Sequence, residues 1–209
     1  MKRVKIVVYF MFVTLVSFTN MACSEHHISR LSAETYMDYS QYGRPPIPVK
    51  ILVLVPSEFE RFEYVSNYES GGVNHYLGRE AEREIRDAFG IEFAKIDVWP
   101  VRSEDRAIEM LSANDPENAR VRGYDYVAIP KFMRVYSTED REEYKFEIDL
   151  QVVFTENNGS SITIRGYGKS MIGKYALSTR EKGASMALQQ AVSALLDGIE
   201  KRRNLFLHG

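Results

Sequence analysis

The clearest alternation of apolar and polar positions in this chain lies at 144–155. Tyr144, Phe146, Ile148, Leu150, Val152 and Phe154 interleave with Lys145, Glu147, Asp149, Gln151, Val153 and Thr155. A strand sends successive side chains to opposite faces, so the even positions form a core face and the odd ones a largely solvated face. Asn157-Asn158-Gly159 follows as a hairpin turn, because Asn and Gly tolerate positive φ. Ile162 and Ile164 then resume the pattern in a returning strand that runs to about Tyr175. Tyr126 to Tyr136 precedes this pair as a β-branched and aromatic strand, in which Pro130 calls for an edge position or a bulge.

Upstream, Val49 to Val55 is a near-continuous apolar run stopped by Pro56, the pattern of a strand covered on both faces. A long loop containing Tyr64, Tyr68 and Gly71-Gly72 leads to a helix predicted over Asn74 to Phe89. There Leu77, Ala81, Ile85, Ala88 and Phe89 recur at helical spacing, and Gly90 is expected to end the helix in a left-handed conformation. Phe93 to Val101 reads as a strand with Ile96 and Val98 on one face. A short helix follows from Glu104 to Leu111, with Ser103 as its N-cap, and then a polar loop from Ser112 to Gly123.

Ser178-Thr179-Arg180-Glu181 has the spacing of a capping box and opens the longest helix, whose buried stripe is Ala184, Ala187, Leu188, Ala191, Val192, Leu195 and Ile199. Lys201, Arg202 and Arg203 complement the dipole at its end. The predicted fold class is α+β: a mixed sheet in the order β-α-β-α-β-β-β-α, with a C-terminal three-stranded antiparallel meander and a long terminal helix.

The first 25 residues follow another pattern. Lys2, Arg3 and Lys5 form a positive start, and Ile6 to Phe18 form an apolar run broken only by Thr14 and Ser17. As a helix that run spans about 20 Å, short of a bilayer's hydrocarbon core of about 30 Å, so it reads as an export signal and not as a permanent span. Asn20-Met21-Ala22-Cys23 resembles the lipobox of bacterial lipoproteins, although the family usually has Leu where Asn20 stands and a small residue where Met21 stands. The resemblance implies cleavage between Ala22 and Cys23, acylation of Cys23, and a new N-terminus at that cysteine. The alternative is an ordinary secretory signal, cut near Ala22 or Ser24, that releases a soluble protein. Ser24 in place of an Asp favours the outer membrane, on the same analogy.

The expected organisation is therefore a signal peptide at 1–22, a lipidated N-terminus and flexible tether at 23–47, one α+β domain at 48–203, and a tail at 204–209. Of 209 residues 187 remain after processing, enough chain to bury about 70% of its unfolded surface. Losing Lys2, Arg3 and Lys5 moves the net charge from −2 to −5, which disfavours generic nucleic-acid binding. Cys23 is the sole cysteine, so no internal disulfide can form and the core must hold the fold.

A second resemblance is one of architecture. Lys50 to Val55, the helix at Arg79 to Phe89, Tyr124 to Pro130, the turn at Asn158-Gly159 and the AL-x-x-A helix at Ala187 to Ala191 are similar to the core of small periplasmic lipoproteins. That group includes the penicillin-binding-protein activator lipoprotein, the curli secretion lipoprotein and the N-terminal domain of the Tol-system propeller protein. The resemblance implies a binding and assembly role and assigns no functional residue.

Reactive chemistry is sparse. Gly168-Lys169-Ser170 ends like a phosphate loop, but Thr163 occupies the place of its first glycine and the segment continues a strand, so no nucleotide is expected. The histidines are His26, His27, His75 and His208, with no zinc-ligand spacing, no G-x-S-x-G elbow and no cysteine nucleophile, so neither metal nor cofactor is expected. Pairs such as Asp97 with Asp105, or Glu147 with Asp149, could in principle do glycosidase chemistry, but alternating acids on a strand usually form its solvated face. Tyr64, Tyr68 and Tyr76 form the candidate partner surface, because aromatic residues dominate interface hot spots; equally, they could cover the sheet's own edge. The expected function is that of a non-catalytic, membrane-anchored lipoprotein at the outer membrane, facing the periplasm, that binds another envelope protein. The alternative is a soluble exported protein for a small ligand or glycan.

Overall fold

The computed structural model describes residues 28–29, 45–68, 71–139, 141–173 and 179–207. The first strand, β1, is only Ile28–Ser29. The elements of the body are β2 (Ile47–Pro56), α1 (Ser57–Glu60), β3 (Tyr64–Tyr68), β4 (Gly71–His75), α2 (Leu77–Glu92), β5 (Phe93–Val101), α3 (Glu104–Glu109), α4 (Asn118–Val121), β6 (Tyr126–Glu139), β7 (Glu143–Glu156), β8 (Ser161–Gly173), α5 (Thr179–Lys201) and α6 (Arg203–Leu207).

The main sheet has the order β5-β2-β6-β7-β8. Its β5, β2 and β6 are parallel, and β6, β7 and β8 form the antiparallel meander. The α+β class and the long terminal helix stand as expected.

The even face of β7 is fully apolar and buried, with Phe146, Ile148, Leu150, Val152 and Phe154 all at 0% exposure. The helices α2 and α5 cover this face. Leu52, Leu54, Val127 and Ile129 form a smaller core on the other face, beneath Ala107, Met110 and Val121 of α3 and α4. Pro130 sits just past the last pairing of β6 with β2, at Ala128, so its missing N–H falls where that ladder has ended. A register shift between Phe132 and Arg134 supplies the bulge.

Gly166 and Gly168 let α5 lie against the sheet. A Cβ at Gly166 would overlap the carbonyl oxygen of Ala191, and one at Gly168 that of Ala187. Gly159 carries the turn between β7 and β8, with φ of 89°. Ser103 caps α3 as expected, accepting from the amide of Arg106 at 3.1 Å.

Five expectations need correction. The loop at 62–76 contains the β3–β4 hairpin, which forms a second small sheet in the order β1-β4-β3. The helix expected from Asn74 begins at Leu77, because Asn74 and His75 belong to β4, and it continues through Gly90, which has room for a Cβ and no positive φ. The polar loop at 112–123 contains the turn of helix α4. Residues 204–207, expected as tail, belong to α6, and Phe206 is 2% exposed among Phe93, Tyr126 and Phe154. Ile28–Ser29 falls inside the expected tether, yet pairs in parallel with Asn74 and His75. The capping box at Ser178 lies outside the described residues.

Candidate functional site

The candidate tyrosines lie on and beside the β3–β4 hairpin, and the side chains of two of them, Tyr64 and Tyr76, are described. Tyr64 points inward: its hydroxyl oxygen accepts from the amide of Ser137 at 2.9 Å and lies 2.9 Å from Ser137 Oγ. It thereby fastens the hairpin to β6. Tyr76 is half-buried at the start of α2, and Tyr68 ends β3, its side chain outside the described residues. Cys23 and Ala22, with His26, His27 and His208, also lie outside them.

The hairpin holds a buried polar pair that sequence reasoning missed. His75 and Ser66 are both 0% exposed, and His75 Nε2 lies 3.1 Å from Ser66 Oγ. Ser66 Oγ donates to the carbonyl of Val73, so the network assigns the imidazole hydrogen to Nε2 and leaves Nδ1 bare, buried and without a partner. Burial lowers the His75 pKa from 6.5 to about 4, since the edge of Phe146 at 5.0 Å and the ring of Tyr64 at 6.3 Å offer little to a cation. A Ser–His pair is the start of a nucleophile and its base, but this serine has given its hydrogen to a carbonyl and neither residue meets solvent. The pair organises the hairpin.

At the opposite end of the sheet is a cleft of about 430 Å³, lined by Pro48, Val49, Asp125, Tyr126, Glu156 and Phe206 among others. The Tyr126 hydroxyl lies 2.8 Å from Glu156 Oε1 and 3.1 Å from the Leu205 carbonyl. Burial, then the Glu156 carboxylate, pushes its pKa up and keeps it neutral. Asp125 Oδ2 accepts from the amide of Lys50 at 2.7 Å. The cleft thus presents two carboxylates beside an apolar wall, and the adjoining turn and strands use most of its polar atoms.

The remaining motifs are absorbed by structure. Gly168 faces Ala187, Lys169 pairs with Glu147 at 3.4 Å, and Ser170 Oγ donates to the Gly183 carbonyl at 2.6 Å, so the phosphate-loop-like triplet joins β8 to its neighbours. Glu147 also faces Arg134 at 3.6 Å. Asp97 accepts from the Tyr124 hydroxyl at 2.7 Å, a bond that holds its carboxyl below the usual range, while Asp105 is exposed on α3. Among the described residues no group of three or more His, Cys, Asp or Glu side chains is placed to hold a metal ion.

No family model matches the sequence, and no curated protein matches it. Among solved structures, a Xanthomonas campestris protein of family DUF330 superposes with a TM-score of 0.51 at 13% identity, over 77% of this chain and 88% of that one. A hypothetical protein from Chlamydia trachomatis follows at 0.43 and 11%, over 77% and 98%. Lipoprotein GNA1162 from Neisseria meningitidis gives 0.34 and 17%, over 74% and 99%. The first of these establishes a fold shared with a bacterial protein.

Proposed function

We infer that the chain is a non-catalytic lipoprotein of the bacterial envelope, anchored by acyl chains on Cys23, whose domain binds another envelope component on the periplasmic side of the outer membrane. The observation that carries this reading is the position of the sole cysteine, directly after a positive start, an apolar run and Ala22. In the domain the Ser–His pair is buried, Asp97 and Asp105 stand on separate elements, Glu147 faces Arg134 and Lys169, and the phosphate-loop-like triplet is committed to packing. The resemblance to small periplasmic lipoproteins points the same way.

The test is intact mass and membrane fractionation of the processed protein. A mass increment matching acyl chains, abolished with membrane association in Cys23→Ser, is the expected result. An unmodified N-terminus in a soluble fraction would overturn it. That outcome would favour the second reading, a soluble exported binding protein, for which the cleft at Tyr126 and Glu156 is the place to look. Pull-down of the tethered protein from its own membrane identifies the partner.

A further inference from the structure

The stretch between Cys23 and the domain is not one free linker, because Ile28–Ser29 is seated on the outer edge of β4. The strands are parallel and Ile28 is level with Asn74, so β1 enters from the side where Tyr68 and Gly71 close the hairpin ladder. Cys23 is five residues ahead of Ile28, a reach of at most about 18 Å. A lipid on that cysteine therefore lies within about 18 Å of Ile28, at the hairpin end of the molecule.

The far end of the molecule cannot be brought as near. The hairpin packs where β7 begins, with His75 against Phe146 and Tyr64 on Ser137. The cleft and α6 lie where β7 ends, at Glu156, and Lys201 adjoins Arg202, whose side chain reaches the carbonyl of Thr163, opposite Val153 of β7. Ten residues of strand separate Phe146 from Glu156, about 33 Å.

We propose that the docked strand β1 aims the domain, holding the β3–β4 hairpin against the bilayer that carries the acyl chains and turning the Glu156 end toward the periplasm. This rests on the lipidation of Cys23. The surface so presented fits a zwitterionic phospholipid. Val65, on the outer side of β3, is 50% exposed, and among the exposed charged residues just ahead of it in the chain Glu58 and Glu63 outnumber Arg61, which disfavours anionic headgroups. Half-buried Tyr76, at the start of α2, adds an amphipathic ring of the kind that settles at headgroup level.

The experiment uses the full chain, purified from membranes as Val65→Cys or Lys201→Cys. Both side chains are exposed, and acylated Cys23 offers no competing thiol. Each variant is labelled with a fluorophore and reconstituted in phosphatidylcholine vesicles carrying a headgroup spin label. Strong quenching at position 65 with little at 201 is the expected result; equal quenching, or more at 201, overturns the proposal. Inserting twelve Gly/Ser residues between Glu25 and His26 should remove the difference while vesicle binding persists. A difference that survives the insertion would show that the short reach does not aim the domain, and would overturn the proposal as well. Intact mass is read on the same samples. Without an acyl increment the lipoprotein reading itself fails and takes this inference with it, whereas acylated protein with no asymmetry sinks the inference alone.

Discussion

The body built from β7, β8 and α5 and the small sheet built on β3 and β4 meet at Phe146, but different chemistry holds them. In the body, unbroken apolar positions on β7 face the alanine stripe of α5, and two glycines let backbone approach backbone. In the hairpin the inward residues are Tyr64, Ser66, Val73 and His75, and hydrogen bonds do much of the work that burial does in the body. The body should therefore respond to changes in shape, and the hairpin to changes in protonation and polarity.

The largest expected effect is in the body. Gly168→Ala sets a Cβ against the Ala187 carbonyl, a backbone atom that cannot step aside, and should cost about 3 kcal/mol, the upper end for overpacking. Thermal unfolding should report it as a global loss of Tm. If the loss is confined to the hairpin, the two regions are not distinct as described.

Nearly as large, but local, is the response of the hairpin to acid. His75 has a folded pKa of about 4 against 6.5 when unfolded, so the unfolded chain binds the proton more readily. The hairpin's stability should be constant above pH 7 and fall as the pH drops from 6.5 toward 4, by about 3 kcal/mol in all. Hydrogen exchange should show β3 and β4 opening over that window while β7 and β8 stay protected. An equal response of both regions in wild type, or an unchanged one in His75→Phe, would refute this account.

A smaller effect is expected from Tyr64→Phe, which leaves the Ser137 amide without its acceptor at a cost of about 1–2 kcal/mol, read as faster exchange in the hairpin alone. The smallest comes from the outer edge of β8. Gln190 accepts from the amide of Lys169 at 3.1 Å, and Arg202 donates to the Thr163 carbonyl at 2.9 Å, so helix side chains occupy two of that strand's outward backbone groups. Gln190→Ala should cost under about 1 kcal/mol and instead raise self-association in sedimentation runs, because it bares a length of edge.

The same contrast explains what was legible in the sequence. The alternation in β7, the turn at Gly159 and the stripe of α5 are encoded in apolar spacing, and each formed as read. A glycine within a strand allows either a bulge or a close backbone approach, and at Gly166 and Gly168 the structure adopts the close approach. The hairpin reads as a loop in the sequence because hydrogen-bonding side chains fill three of its four inward positions, and a search for apolar periodicity passes over them. Its one signal was an isolated histidine between Asn74 and Tyr76. Helix α6 was missed for a related reason: a single deep anchor, Phe206, draws a five-residue turn into the core. The tyrosine surface was legible only as a count of rings, since sequence does not say that the Tyr64 hydroxyl is spent on Ser137.

The contact between Arg203 and Pro45 has a bearing on how the domain could be rearranged. The guanidinium at the start of α6 donates to the Pro45 carbonyl, two residues before β2 begins. The two ends of the folded unit are thus neighbours. A short bridge from Leu207 to Pro45 would close the unit into a ring, which could then be reopened at the exposed Asn158-Gly159 turn to give a circularly permuted protein with the same core. The same proximity would allow the domain to be spliced into a surface loop of another protein without pulling that loop apart.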